Sequence, residues 1–140
     1  WFESYLNDVI SKGKWAVTMT HGIRIGYDSF GDETRLWKMF DYALEQEKAG
    51  KLWIATFHDV AAYIQERDNT ELKVKGKKRV VTITPKMKLD KSLFNHPLTL
   101  VLDFQPKMAK QGTKILAVRK DKNQYLIEMN PKEGKIILTK

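Results

Sequence analysis

The chain has 140 residues, 42% of them hydrophobic and 11% aromatic, which is typical of one ordinary globular domain or two small ones. It contains no cysteine, which excludes disulfides and thiolate sites, and no apolar run of the length that a transmembrane helix needs. The formal net charge of +8 is divided unevenly, since residues 1–69 carry 8 basic and 11 acidic side chains and residues 70–140 carry 17 and 6. We therefore predict two domains, 1–69 and 70–140.

The first predicted elements are a helix and a strand that ends at a histidine. Residues 2–12 have a helical apolar period, and Gly13 is suited to the end of the helix. The uncharged run 15–20 predicts a strand buried on both faces. His21 stands at its carboxyl end, where α/β folds collect reactive groups, and can exchange a proton near neutral pH. His21 is therefore a candidate catalytic residue, the alternative being a histidine bonded to a nearby carbonyl group.

The segment 22–32 that follows is rich in glycine and is predicted to be a loop. Long loops after buried strands are often functional. Its aromatic residues Tyr27 and Phe30 either line a substrate pocket above His21 or pack the loop onto the domain.

A second helix and a second strand follow this loop. Residues 33–49 have a helical period, with a buried stripe expected along Leu36, Trp37, Phe40, Ala43 and Leu44. The uncharged run 52–57 predicts another buried strand, after which Asp59 is suited to cap a short helix. A strand, helix, strand, helix order favours parallel strands, which would bring His21 and His58 to the same edge of the sheet.

From residue 70 the alternation of apolar and polar residues predicts an antiparallel sheet or a small sandwich. The predicted strands cover residues 72–75, 79–84, 98–104, 114–119, 124–129 and 135–139. Lysines at alternate positions are most simply a solvated face that prevents edge pairing. Few arginines and aromatic residues accompany them, which argues against nucleic acid, whereas an anionic wall polymer or a membrane surface stays open as a partner.

Sequence motifs for metal binding or nucleophilic catalysis are weak. His21, His58 and Asp59 have the residue types of a zinc site, but such a site needs three ligands in mutual reach and the chain has no HxH or HxxH pair. We therefore expect no metal ligand in this chain. No nucleophile elbow, phosphate loop or dinucleotide fingerprint is present either.

Two segments resemble the last part of the polysaccharide deacetylase family, the metal-dependent carbohydrate esterases of family 4. They read GKWAVTMTHGI at 13–23, and WIATF at 53–57 followed by DVAAYIQER at 59–67. The resemblance covers residues 1–67. For these residues it implies the carboxyl-terminal slice of an irregular (β/α) barrel. Together with the small antiparallel β-sheet or sandwich domain predicted from residue 70 onward, the expected architecture is α/β plus β.

The resemblance also implies roles for individual residues. His21 would be the general acid that protonates the leaving group, and Met19, in place of the family's leucine, would help to line the acetyl pocket. The family's aspartate base, metal-binding aspartate and HxxH pair have no counterpart here. Zinc or another divalent metal is therefore expected only in a longer parent protein, and the chain alone is expected to be inactive.

Expected partners follow from the same reading. The substrate would be an acetylated polysaccharide or oligosaccharide, in a secreted or periplasmic, cell-envelope setting, with no nucleic acid and no transmembrane segment. Because the chain begins at Trp1 rather than methionine, we expect a fragment. A barrel slice leaves apolar faces uncovered, so we expect it to pair with the missing amino-terminal part of the barrel or with itself.

Two other functions remain open. A noncatalytic β module could bind glycan or an anionic wall polymer, although only Phe94, Phe104 and Tyr125 are available for stacking in that half. A basic nucleic-acid binder is the weaker possibility, and a steep loss of affinity with salt would indicate it.

Overall fold

The computed structural model describes residues 1–19, 22 and 33–140. In these residues the chain is a mixed α and β protein with three helices and two antiparallel sheets. The helices are α1 (Phe2–Lys12), α2 (Thr34–Lys48) and α3 (Phe57–Asp68). The strands are β1 (Thr70–Lys77), β2 (Val80–Met87), β3 (Leu98–Leu102), β4 (Met108–Gln111), β5 (Lys114–Ile115), β6 (Arg119–Asp121), β7 (Gln124–Met129) and β8 (Ile136–Thr139). The predicted combination of helices with antiparallel strands is confirmed.

The chain divides into two compact units, Trp1–Phe57 and His58–Lys140. The division lies at the start of α3, whereas the boundary predicted from composition, between residues 69 and 70, stays a prediction. None of the helices in the described ranges has the length and apolar character needed to cross a membrane.

Helix α1 forms as its sequence predicts. Leu6 and Val9 lie on its buried face, as the helical period requires. Gly13 ends the helix in the left-handed conformation (φ 59°), and its N–H donates to the carbonyl of Ile10 at 3.2 Å. A left-handed glycine in this position provides a donor for a carbonyl that the helix leaves unpaired.

Helix α2 is also confirmed, but its expected burial is wrong. Leu36 is its buried residue, whereas Trp37, Phe40 and Leu44 are exposed. A hydrogen bond connects α2 to α1: the Tyr42 hydroxyl donates to Asn7 Oδ1 at 2.8 Å. Of the predicted buried stripe, Leu36 is buried and Ala43 is half-buried, so the apolar period predicted the helix but not its burial.

The two predicted buried strands are wrong over the residues that the structure describes. The described part of the first segment, residues 15–19, and residues 52–56 of the second have irregular backbone, and Trp15, Val17 and Trp53 are exposed. Every strand pairing among the described residues is antiparallel, so the predicted parallel βαβα unit is also wrong there. A strand is stable only when neighbouring strands pair with its backbone N–H and C=O groups. In the described structure, no strand is paired with either of these two segments.

The second unit contains the two sheets. Their strand orders are β1-β2-β8-β4-β5 and β3-β7-β6. Both sheets contribute buried residues to one hydrophobic core. The core contains Ile83, Leu98, Leu100, Leu102, Ala109, Leu116, Ile127, Met129, Ile136 and Leu138.

Several strand boundaries differ from those predicted. The turn between β1 and β2 is at Lys78-Arg79, with Lys78 left-handed (φ 51°), rather than at Gly76-Lys77. Strand β4 was not predicted. The predicted strand 114–119 is divided between β5 and β6, which belong to different sheets. Buried Leu116 lies between them, and its N–H donates to the carbonyl of Ala109 at 2.8 Å.

Candidate functional site

The predicted catalytic site is only partly described. Met19 lies in irregular backbone with 85% of its surface exposed. His21, Tyr27 and Phe30 lie outside the described residues. Their roles as general acid and pocket residues therefore stay predictions.

A different histidine, His96, lies at the centre of a cluster of ionisable groups in the second unit. Helix α3 carries Asp59 and Glu66 seven residues apart, which is two turns and places both on one face. His96 is positioned in the segment just before β3, where Pro97 precedes the first strand residue. Its side chain meets both carboxylates, so three residues that are distant in the sequence form one local cluster.

Glu66 is the most buried member of this cluster, with no exposed surface. Its Oε1 accepts a hydrogen bond from the His96 backbone N–H at 2.8 Å and faces the ring Nδ1 of the same residue at 3.1 Å. Its Oε2 is buried and has no hydrogen-bond partner in the described structure. A buried carboxylate is costly unless paired, so the contacts of Oε1 with His96 compensate for part of that cost.

The other side of the His96 ring faces Asp59. Nε2 of His96 lies 3.3 Å from Asp59 Oδ1, and the ring of His58 approaches the same oxygen, with its Nδ1 at 3.6 Å. The two imidazole rings are 6.4 Å apart between centroids. The side chain of His58 is 81% exposed, and that of His96 is largely buried. Water therefore reaches the cluster from the His58 side.

The cluster can hold and exchange protons, since it combines imidazole rings with carboxylates. Among residues 1–19, 22 and 33–140, no group of three or more His, Asp or Glu side chains is arranged to hold a metal ion. Three residues, His21, His58 and Asp59, have the residue types of a zinc site. The side chains of His58 and Asp59 are in contact, whereas His21 is outside the described residues.

A second feature of this unit is the basic outer face of the five-stranded sheet. The pairing registers place Lys75, Thr82, Ile137 and Lys110 in one row across four strands. Lys73 and Lys77 flank Lys75 on the same face, because side chains alternate along a strand. At one end Glu71 pairs with Lys88, whose hydrogen bond and charge lower the pKa of that carboxyl group below its usual range.

The three aromatic residues available for glycan stacking do not form an exposed row. Phe104 and Tyr125 pack against the hydrophobic core of the second unit, and Phe94 is half-buried. Lys140 lies over the Phe104 ring, with Nζ 4.8 Å from the centroid. The charge on this unit is therefore a more accessible feature than its aromatic rings.

No family is identified by comparison. Protein-family models, curated proteins and solved structures gave no match to the chain. The resemblance to polysaccharide deacetylases therefore rests on the residues quoted for it.

Sequence reasoning missed the His96 cluster because its members are 30 and 37 residues apart. The available signal was the seven-residue spacing of Asp59 and Glu66 on a predicted helix. Two acidic residues on one helical face are usually solvated, and nothing in the sequence indicates that one of them is buried.

Proposed function

We propose that the chain is the carboxyl-terminal portion of a polysaccharide deacetylase that hydrolyses acetyl groups from N- or O-acetylated sugars with metal-activated water. The observation that carries the proposal is the order of residues in 13–23 and 53–67. His21 acts as the general acid that protonates the leaving group. Met19, Tyr27 and Phe30 line the substrate pocket.

Exposed apolar side chains in the first unit support this proposal. Trp15, Val17, Met19, Trp53 and Ile54 are all exposed, and they lie in the two segments that resemble barrel strands. A large exposed apolar surface in a soluble domain usually marks a contact with another chain or segment. We propose that the upstream part of the barrel covers them, and that the barrel is completed only in the longer protein.

The metal of such an enzyme, zinc or another divalent ion, would activate the attacking water. The aspartate base, the metal-binding aspartate and the HxxH pair of the family have no counterpart in this sequence. We therefore propose that upstream residues hold the metal and supply the catalytic base, and predict that this chain has no activity alone. A secreted or periplasmic location at the cell envelope follows from a polysaccharide substrate.

The decisive experiment measures acetate release from an acetylated oligosaccharide in the presence of zinc. It compares a protein extended upstream of Trp1, its His21→Ala and His58→Gln variants, and this chain alone. We expect an active extended protein, a loss of about 100-fold or more for His21→Ala, as for removal of a general acid, and little change for His58→Gln. An inactive extended protein, or full activity of His21→Ala, would refute the proposal.

A noncatalytic module that binds an anionic wall polymer is the second candidate. The lysines of the outer sheet face favour it, because Lys73, Lys75 and Lys77 are all exposed on the edge strand β1. Binding of the full chain to a polyanionic glycan should then weaken with salt and with the double change Lys73→Gln and Lys75→Gln. Equal binding to a neutral glycan would contradict a charge-based mechanism.

A further inference from the structure

Strand β1 forms one edge of the five-stranded sheet. All 8 of its residues, Thr70–Lys77, pair with β2 on one side. Among the described residues, no strand pairs with its other side. A long unpaired edge presents backbone N–H and C=O groups to which a further strand can bind.

The pairing register shows which backbone groups of β1 face the open edge. In an antiparallel pair, residues that exchange hydrogen bonds alternate with residues that do not. Just before β1, the Asn69 carbonyl accepts the N–H of Lys88 at 3.0 Å, in continuation of the register between β1 and β2. The alternation therefore directs the N–H and C=O groups of Leu72, Val74 and Gly76 away from β2 and toward the open edge.

The same three residues form the apolar face of β1. Leu72 is 43% exposed and Val74 is 62% exposed. Val74 lies opposite Ile83, which is buried in the core, so β1 extends the core face of the sheet beyond the part that the core covers. A Cβ atom at Gly76 would meet no atom within 4 Å, so the space over this face is open at that point.

The other face of β1 is positively charged. Its exposed lysines are Lys73, Lys75 and Lys77. Their cross-strand neighbours in β2 are uncharged, namely Thr84, Thr82 and Val80. The acidic residue of the same row, Glu71, forms an ion pair with Lys88. The row therefore presents a net positive charge along the open edge.

We propose that β1 binds an extended segment of a partner protein in which acidic residues alternate with apolar residues. The segment adds a strand to the sheet, and its backbone forms hydrogen bonds with Leu72, Val74 and Gly76. Its acidic side chains lie beside the lysines, and its apolar side chains cover Leu72 and Val74. This partner binds to the second unit alone, and its binding does not depend on the deacetylase proposal.

The charge of the edge favours this partner over a second copy of the chain. Like charges on adjacent strands destabilise their pairing, and lysines on an edge strand oppose the association of identical edges. A second copy would bring three more lysines to the row and one glutamate, Glu71, which is already paired with Lys88. An anionic polymer would neutralise the lysines but would leave the backbone groups of the edge and the apolar face uncovered.

The test follows the backbone amides of the isotope-labelled full chain by nuclear magnetic resonance while a synthetic peptide is added. The peptide alternates glutamate with valine, and the control peptide alternates lysine with valine. We expect only the glutamate peptide to bind. It should slow the hydrogen exchange of the Leu72, Val74 and Gly76 amides, because these amides donate to it. Absence of binding, equal binding of both peptides, or binding without slower exchange at these amides would overturn the proposal.

Two variants separate backbone pairing from charge. Val74→Pro removes one N–H from the open edge, which is a position where a strand tolerates proline. It should weaken binding of the glutamate peptide about threefold to tenfold, as for the loss of one hydrogen bond, and more than Val74→Ala, which keeps the N–H. The double change Lys73→Glu and Lys75→Glu should reverse the preference toward the lysine peptide. Equal affinities of the two Val74 variants, or an unchanged preference in the double variant, would contradict strand addition.

Two further measurements test the other occupants of the edge. A polyanionic glycan should shift the lysine signals without slowing exchange at the three amides, and should bind more weakly than the glutamate peptide. A glycan that binds more tightly than the peptide would overturn the proposal in favour of a wall polymer. Protection of the same amides that increases with protein concentration in the absence of peptide would overturn it in favour of a second copy.

Discussion

Replacing Gln111 by methionine is expected to destabilise the second unit by about 2–3 kcal/mol. Gln111 is buried in β4, where its Nε2 donates to the carbonyls of Asn130 and Gly134 at 2.7 and 3.0 Å. Its Oε1 accepts the N–H of Asn130 at 3.1 Å. Each of the three hydrogen bonds contributes about 0.5–1.5 kcal/mol. The expected loss of stability lies in the lower half of the range obtained by adding the three contributions. The reason is that Gly134 is exposed, so its carbonyl group can bind water when the glutamine is removed.

The assay can separate the two units. All four tryptophans lie within Trp1–Phe57, so tryptophan fluorescence follows the first unit, and amide signals of β4, β7 and β8 follow the second. Gln111→Met should lower the urea midpoint of those amides and leave the tryptophan transition in place. The matched control is Gln124→Met, at an exposed position in β7. Substitutions at the surface usually change the free energy of unfolding by less than about 0.5 kcal/mol. If both variants stay within that limit, the assigned role of Gln111 is refuted.

Three further predictions use the same chain. Leu138→Ala removes a fully buried side chain of β8 and should cost about 2–5 kcal/mol, whereas Ile137→Ala, at an exposed neighbour, should cost much less in the same urea titration. Hydrogen bonds from the backbone N–H and the hydroxyl of Ser92 lower the pKa of Asp90. Ionised Asp90 therefore stabilises the fold above about pH 4, which is the ordinary pKa of an aspartate in an unfolded chain. This stabilisation is lost as the pH falls further. Asp90→Asn should therefore lie below the parent in urea midpoint at pH 6 and approach it at pH 3; a constant gap would contradict this. Trp15→Ser should reduce the binding of a hydrophobic dye by the isolated chain, and unchanged dye fluorescence would show that this exposed surface is not what the dye detects.

Local patterns predicted the elements whose stability is local. Helix α1 was predicted from its apolar period and Gly13, and both features act within one or two turns. Strands β7 and β8 were predicted because each is a short apolar run next to a turn signal, and both features are read locally. Strand β4 was missed because its buried positions are occupied by the small Ala109 and the polar Gln111, so the segment has no alternation of large apolar and polar residues.

The failures come from features that depend on distant parts of the chain. The run 15–20 has the composition of a buried strand, but burial requires neighbours that composition cannot supply. The histidine cluster depends on the fold bringing His96 to the face of α3 that carries Asp59 and Glu66. Residue types alone favoured His21 and His58, since they stand next to apolar runs, and gave no reason to select His96.

The position of β8 limits when the second unit can fold. This strand is late in the sequence but central in its sheet, pairing with β2 on one side and β4 on the other. During synthesis, β1 and β2 can form a hairpin early. The β1–β2 pair cannot be connected to the β4–β5 pair until residues 136–139, which form β8, have been made. Until then, the buried faces of β2 and β4 lack the strand that links them, and the nascent chain is exposed to non-native strand pairing. Slow, late assembly is therefore expected of this sheet, in contrast to the early formation of the β1–β2 hairpin.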